Sequence, residues 1–109
     1  MVSRPSRLLP PSVARLLPPL RSTEGRDPLV LVKFFDPCGR WTYYVIEFDP
    51  ADRLLYGYCR SPLGPDCDEL GYASLDEIEA TTNRLGLHME RDLYWTPAPL
   101  SKVQSGEAQ

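Results

Sequence analysis

Apolar residues recur along this chain at two different periods, and each change of period marks an element. From Leu29 to Phe35 a run rich in Val, Leu and Phe predicts a strand, closed by the turn Asp36-Pro37-Cys38-Gly39. A second strand is predicted from Trp41 to Phe48, and the short Gly-containing loop between the two predicts an antiparallel hairpin. After Asp49-Pro50-Ala51-Asp52, a third strand runs from Arg53 to Arg60 with Leu54, Tyr56 and Tyr58 on one face, which extends the hairpin to a meander. A loop with Pro62, Gly64 and Pro65 leads to a short strand at Glu69 to Ala73.

At Ser74-Leu75-Asp76-Glu77 the period changes. The Ser at the N-cap and the Glu three residues on form a capping box, and Leu75, Ile78, Thr82 and Leu85 follow at the spacing of one helix face. Gly86 is the expected stop, with Asp76, Glu77 and Glu79 on the wet side where the helix dipole favours anions. His88 to Trp95 alternates as a last strand before Pro97 and Pro99. Upstream, Leu8-Leu9-Pro10-Pro11 is echoed by Leu16-Leu17-Pro18-Pro19, with room for a two-turn helix between them. Arg21 to Asp27 reads as a polar loop, and Ser101 to Gln109 as a polar, fraying tail.

These elements predict one α+β domain: an antiparallel meander of four to five strands, with the capped helix and a short N-terminal helix packed on one face. Three segments are expected: a basic, Pro-rich leader with its short helix at 1–26, the α+β core at 27–96 and a polar tail at 97–109. The net charge of -3 hides an asymmetry. Arg4, Arg7, Arg15, Arg21 and Arg26 oppose Glu24 alone in the leader, whereas thirteen acids oppose six bases from Asp27 to Trp95. That balance excludes a domain whose whole face grips phosphates, and it leaves a basic arm or an acidic surface for a basic partner. No apolar run approaches the ~20 residues of a membrane span, and Pro10 and Pro11 interrupt the N-terminal apolar stretch before it could serve as an export signal, so a cytoplasmic location is expected.

Six stretches, Lys33-Phe34-Phe35-Asp36-Pro37, Trp41-Thr42-Tyr43-Tyr44, Glu47, Glu69-Leu70-Gly71-Tyr72, Ser74-Leu75-Asp76-Glu77-Ile78-Glu79 and Glu90-Arg91-Asp92-Leu93, follow in order. In order and spacing the chain resembles a bacterial family, domain of unknown function 2958 (DUF2958), from the Leu-Leu-Pro-Pro leader to Pro97-Ala98-Pro99-Leu100. The resemblance implies a setting of plasmids, integrated elements and phage-like islands. It supplies no activity, and no functional residue is carried over.

Three constellations offer chemistry. Asp66, Asp68, Glu69, Asp76, Glu77 and Glu79 can form a negative patch that imitates a row of phosphates, or simply a solvated turn and helix face. Trp41, Tyr43, Tyr44, Tyr56, Tyr58, Tyr72, Tyr94 and Trp95 can stack bases on a sheet, or fill its core. Glu90, Arg91 and Asp92 with Lys33 offer charges that pair across the sheet or line a pocket. Cys38, Cys59 and Cys67 with His88 number four, as a zinc site requires, but they lack its spacing and read more simply as reduced, buried thiols. With one histidine, no nucleophile elbow and no phosphate-cradling glycine loop, no enzyme, metal or cofactor is expected. The sequence therefore predicts a non-catalytic protein of a bacterial mobile element that meets a protein partner through an acidic surface, as anti-defence proteins such as anti-CRISPR or anti-restriction factors do. Trp41, Tyr43 and Arg91 join the six acids as interaction candidates. An adaptor for single-stranded nucleic acid, using the aromatic sheet, is the alternative, and an uncharacterised hydrolase is third. Free DNA is expected to bind weakly, through the arginines before Asp27.

Overall fold

A computed structural model describes residues 6–109; Arg4 and Pro5, counted above with the basic and Pro-rich leader, lie outside the described residues. The chain runs α1 (Pro11–Ala14), β1 (Leu29–Val30), β2 (Val32–Phe35), β3 (Thr42–Asp49), β4 (Leu54–Arg60), a 3₁₀ turn at Pro65–Cys67, β5 (Glu69–Ser74), α2 (Leu75–Ala80), β6 (Glu90–Arg91), β7 (Ala98–Pro99) and α3 (Leu100–Ser105). Five strands form one antiparallel sheet in the order β5-β4-β3-β2-β6, and β1 pairs with β7 as a separate ribbon. The protein is α+β, with a five-stranded antiparallel sheet and a few short helices.

Hydrophobic alternation along β2, β3 and β4 buries both faces of the sheet. One face packs Phe34, Tyr43, Val45, Phe48 and Leu55 against Leu75 and Ile78 of α2 and against Leu8, Leu9 and Leu17 of the leader. The other packs Tyr44 and Ile46 against Val30 and Val103. The capped helix and the N-terminal helix, through Val13 and Ala14, share the first face as expected; the helix on the second face was not anticipated. Ser101 to Gln109 does not fray as a whole: α3 covers the second face, with Val103 fully buried. Ser101 caps this arrangement by donating from its amide and its hydroxyl to the Asp27 carboxylate.

Other expectations change for local reasons. The first strand is not continuous. Val30 and Val32 would share a face in a regular strand, but the chain breaks at Leu31 and places them in the two opposite cores. The helix beginning after Ser74 does accept a bond at its cap, from the Glu77 amide to Ser74 Oγ at 3.2 Å, but it ends at Ala80 rather than near Gly86. Thr81 is extended and its hydroxyl donates to the Glu77 carbonyl, so a β-branched side chain closes the helix. Beyond it the Asn83 side chain accepts from the amides of Leu85 and Leu87 and sets a tight turn in which Gly86 has φ 77°. Thr82 and Leu85 thus leave the helix face, and Leu85 is exposed. The last strand shrinks to Glu90–Arg91 and lies beside β2.

The sheet carries one irregularity that organises the rest. Val45 faces Gly57 and Glu47 faces Tyr56, so β3 has one more residue than β4 across this stretch, a β-bulge at Ile46. Because side chains alternate with period two, a slip of one residue exchanges faces. Phe48 joins Leu55 in the first core and Glu47 turns to the second face beside Tyr56. Gly57 is required at the bulge. A Cβ there would lie 2.1 Å from the Tyr44 carbonyl oxygen and 2.9 Å from the Tyr43 ring. The Tyr43 ring passes over Gly57, and its hydroxyl donates to the Gly71 carbonyl at 2.8 Å.

Gly57→Ala is expected to cost about 3 kcal/mol, since the obstructing atom is backbone. Gly71→Ala, where a Cβ meets nothing within 4 Å, should stay within about 0.5 kcal/mol of the parent. Urea midpoints of the two variants decide the point; equal midpoints would contradict it.

Candidate functional site

Glu47 is the acid that the bulge turns away from the first core. It is only 2% exposed, and it accepts from the Arg21 amide at 2.7 Å, from the Thr23 amide at 2.9 Å and from the Thr23 hydroxyl. A carboxyl group buried in such a place needs hydrogen-bond donors, and the loop supplies them from two backbone amides and the Thr23 hydroxyl. The loop bends accordingly: Arg21 adopts a left-handed φ of 71°, a conformation a non-glycine residue keeps only where its surroundings impose it. Gly25, at φ 78°, makes the next turn without that cost.

The held loop forms one wall of an open cleft of about 240 Å³. Arg21 and Arg26 line that wall, and among the described residues neither guanidinium has a hydrogen-bond or ion-pair partner. The floor is Tyr56 and Tyr72, with ring centroids 5.0 Å apart and planes tilted by 55°, flanked by Ile46 and by Leu100 of α3.

Beside the cleft lies β5, the edge of the sheet, with no further strand next to it among the described residues. Leu70 is 38% and Tyr72 56% exposed along it. Residues 66–77, which contain β5 and both its flanks, hold the five acids Asp66, Asp68, Glu69, Asp76 and Glu77 and no lysine or arginine.

The six predicted acids do not form one solvated patch. Asp68 makes a two-pronged pair with Arg40, both bonds 2.7 Å, and accepts from the Ser61 amide at 2.8 Å. The Arg40 hydrogen bonds, followed by the Ser61 amide, hold the Asp68 carboxyl below the usual carboxylate range. Asp76 and Glu79 both grip Arg53, at 2.7 and 3.0 Å, and the second oxygen of Glu79 accepts from Ser6 Oγ and from the amides of Arg7 and Leu8. These two acids fasten the leader and the β3–β4 turn to α2, and are not the free wet face that was expected. Asp66, Glu69 and Glu77 are exposed.

Tyr43 is buried in the first core, and burial pushes its hydroxyl pKa up. Trp41 is half-buried against the same core, near Cys59. Arg91 sits in β6 at the opposite edge from the acids, opposite Phe34, and its Nε is buried without a partner among the described residues. Lys33 and Asp92 do pair, at 3.5 Å, with Lys33 also over the rings of Tyr44 and Trp95. Cys38 and Cys67 are exposed and Cys59 is half-buried, which corrects the reading of buried thiols. Burial pushes the Cys59 thiol up. Among the described residues no group of three or more His, Cys, Asp or Glu is arranged to hold a metal ion, and no helix is long and apolar enough to cross a membrane.

Sequence reasoning counted Arg21 and Arg26 only as part of the basic leader and Glu47 only as a family position, and did not bring the three together. The usable signal was a lone acid inside an otherwise apolar strand, because such an acid needs donors from elsewhere in the chain.

Glu47→Ala should release the loop and make Arg21 and Arg26 preferred trypsin sites while the sheet stays folded; unchanged cleavage at these two residues would refute the anchoring role. For Asp68, a depressed folded pKa means its stabilisation is present above the unfolded value and lost as pH falls through the folded one. Acid unfolding below about pH 4 should therefore be shallower in Asp68→Asn than in the parent, although Asp27 and Asp36, lowered by their hydrogen bonds, contribute a residual slope in both. Identical acid limbs would contradict it.

No curated protein and no solved structure matches the chain. The profile of the family described as "Protein of unknown function (DUF2958)" matches residues 9–105, nearly the whole chain, from the leader that packs under α2 to the end of α3. The chain belongs to the DUF2958 family.

Proposed function

We propose that this protein is a non-catalytic binding module that captures an extended, basic segment of a protein partner by adding it as a further strand along β5. The observation that supports this reading is the unguarded edge. Natural edges are blunted by lysine, proline, bulges or a covering loop, because their unpaired N–H and C=O groups template another strand. Glu69-Leu70-Gly71-Tyr72-Ala73-Ser74 contains neither lysine nor proline, and Leu70 and Tyr72 present an apolar row on one face. Main-chain bonds supply affinity in such an addition, and side chains beside the edge supply selectivity. Asp66, Glu69 and Glu77 select a basic segment. The same acids disfavour a second copy, since antiparallel pairing of two β5 strands brings acidic flanks together. The setting that goes with this reading is the bacterial cytoplasm and a mobile element, where the acids would stand in for phosphates at a basic, nucleic-acid-handling partner.

The peptide Lys-Val-Lys-Val-Lys-Val-Lys is a suitable probe. It should slow amide exchange in residues 69–74 selectively, bind more weakly as salt rises from 50 to 500 mM, and lose at least tenfold affinity against Leu70→Lys, which restores a guarded edge. Absence of protection in 69–74, or sedimentation showing that the free chain already dimerises through this edge, would overturn the reading.

A further inference from the structure

The loop from Arg21 to Arg26 is held by more structure than a connection needs. A bulge redirects Glu47, the buried carboxylate binds two backbone amides and a hydroxyl of the loop, and Arg21 is kept in a left-handed conformation. Strain of that kind persists where the surroundings over-determine it, and it concentrates at ligand sites. The outcome is two arginines without internal partners on one wall and two tyrosines on the floor of the same cleft.

We propose that this cleft is a binding site for a phosphorylated nucleobase, with the base on Tyr72 and Tyr56 and one phosphate between Arg21 and Arg26. Tyr72 is 56% exposed and tilted against Tyr56, so it offers a ring face backed by a second ring; stacking of this type contributes about 1–3 kcal/mol per base. Ile46, Leu70 and Leu100 complete an apolar surround for a planar ring. Guanidinium groups match phosphate geometry through paired N–H donors. The size limits the ligand: about 240 Å³ lies below the ~300–1,000 Å³ of common small-molecule sites, so the cleft takes one base and leaves the sugar and phosphate at its mouth. Glu24 at the same wall offsets one of the two positive charges, which favours a single phosphate over a triphosphate. Glu47 is a positioning residue: its oxygens are committed to the loop.

A free nucleotide and one unit of a single strand share this chemistry, and the test separates them. Adenosine monophosphate, adenosine, inorganic phosphate and a dA6 oligonucleotide are titrated against the full chain by calorimetry at low salt, with the Tyr72 ring resonances followed in parallel. The monophosphate should bind saturably, more tightly than either adenosine or phosphate alone, and shift the Tyr72 ring. The variant Arg21→Asn/Arg26→Ser should weaken it at least tenfold; asparagine tolerates the left-handed conformation, so the loop keeps its shape. Arg15→Ser, a control that removes an equal kind of charge from the end of α1, should change nothing. If dA6 binds more tightly than the monophosphate with the same dependence on Arg21 and Arg26, the strand is the physiological source. Equal affinity for phosphate and the monophosphate, an unshifted Tyr72 ring, or equal losses in the Arg15 control would overturn the proposal. Leu70 lines both surfaces, so the two readings are separated by ligand and readout: the edge by peptide-induced protection of residues 69–74, the cleft by nucleotide affinity and its dependence on Arg21 and Arg26.

Discussion

Between Val45 and Glu47, β3 carries one residue more than β4 can pair, and every side chain beyond that point changes face. The slip costs a regular pair of ladder bonds and requires glycine opposite, at Gly57. In return Phe48 reaches the first core beside Leu55, and the only acid of the strand interior, Glu47, reaches the second face instead of facing apolar neighbours in the first. Burial of a polar group is tolerable there because the Arg21–Thr23 backbone arrives with donors. The bulge turns the carboxylate to the second face, and the carboxylate in turn holds the shape of the loop.

The sheet is covered on both sides by segments that look peripheral in sequence. Leu8, Leu9 and Leu17 pack under α2, and the leader is fastened there by Glu79, whose two oxygens serve Arg53 and the backbone of Arg7 and Leu8. Val103 and Leu100 close the other face. Acids spent on these joints are withdrawn from the surface. Of the six acids read as a patch, Asp66, Glu69 and Glu77 remain exposed, gathered around β5, an edge strand that contains no lysine or proline.

The open edge and the cleft adjoin, and Leu70 and Tyr72 belong to both. Their charges differ in sign: the edge is flanked by acids and the cleft is walled by Arg21 and Arg26. On the two proposals, a basic segment would pair along the edge and an anionic ligand would meet the guanidinium groups, with Tyr72 between them.

Local patterning was sufficient wherever a residue's environment is set by its neighbours in the chain. The three hairpin-linked strands, the turn at Asp36-Pro37-Cys38-Gly39, the Ser74 cap and the inward placing of Leu75 and Ile78 all follow from period and turn chemistry. So does the family, whose motifs stand in order along the chain. Length of the capped helix did not follow, because Thr81 and Asn83 compete for backbone groups that periodicity treats as helical. The two proposed binding surfaces were beyond local reading for a stronger reason. Arg21 and Glu47 are 26 residues apart, and their meeting depends on a slipped register that shows no marker in the alternation of β3, where six consecutive residues are buried. Which acids are free was likewise decided by partners far along the chain: Arg40 for Asp68, Arg53 for Asp76 and Glu79. Sequence determined the strands, their order of pairing within the meander and the cap; only the tertiary structure decided which charges were consumed, because a charge finds its partner in space and not along the chain.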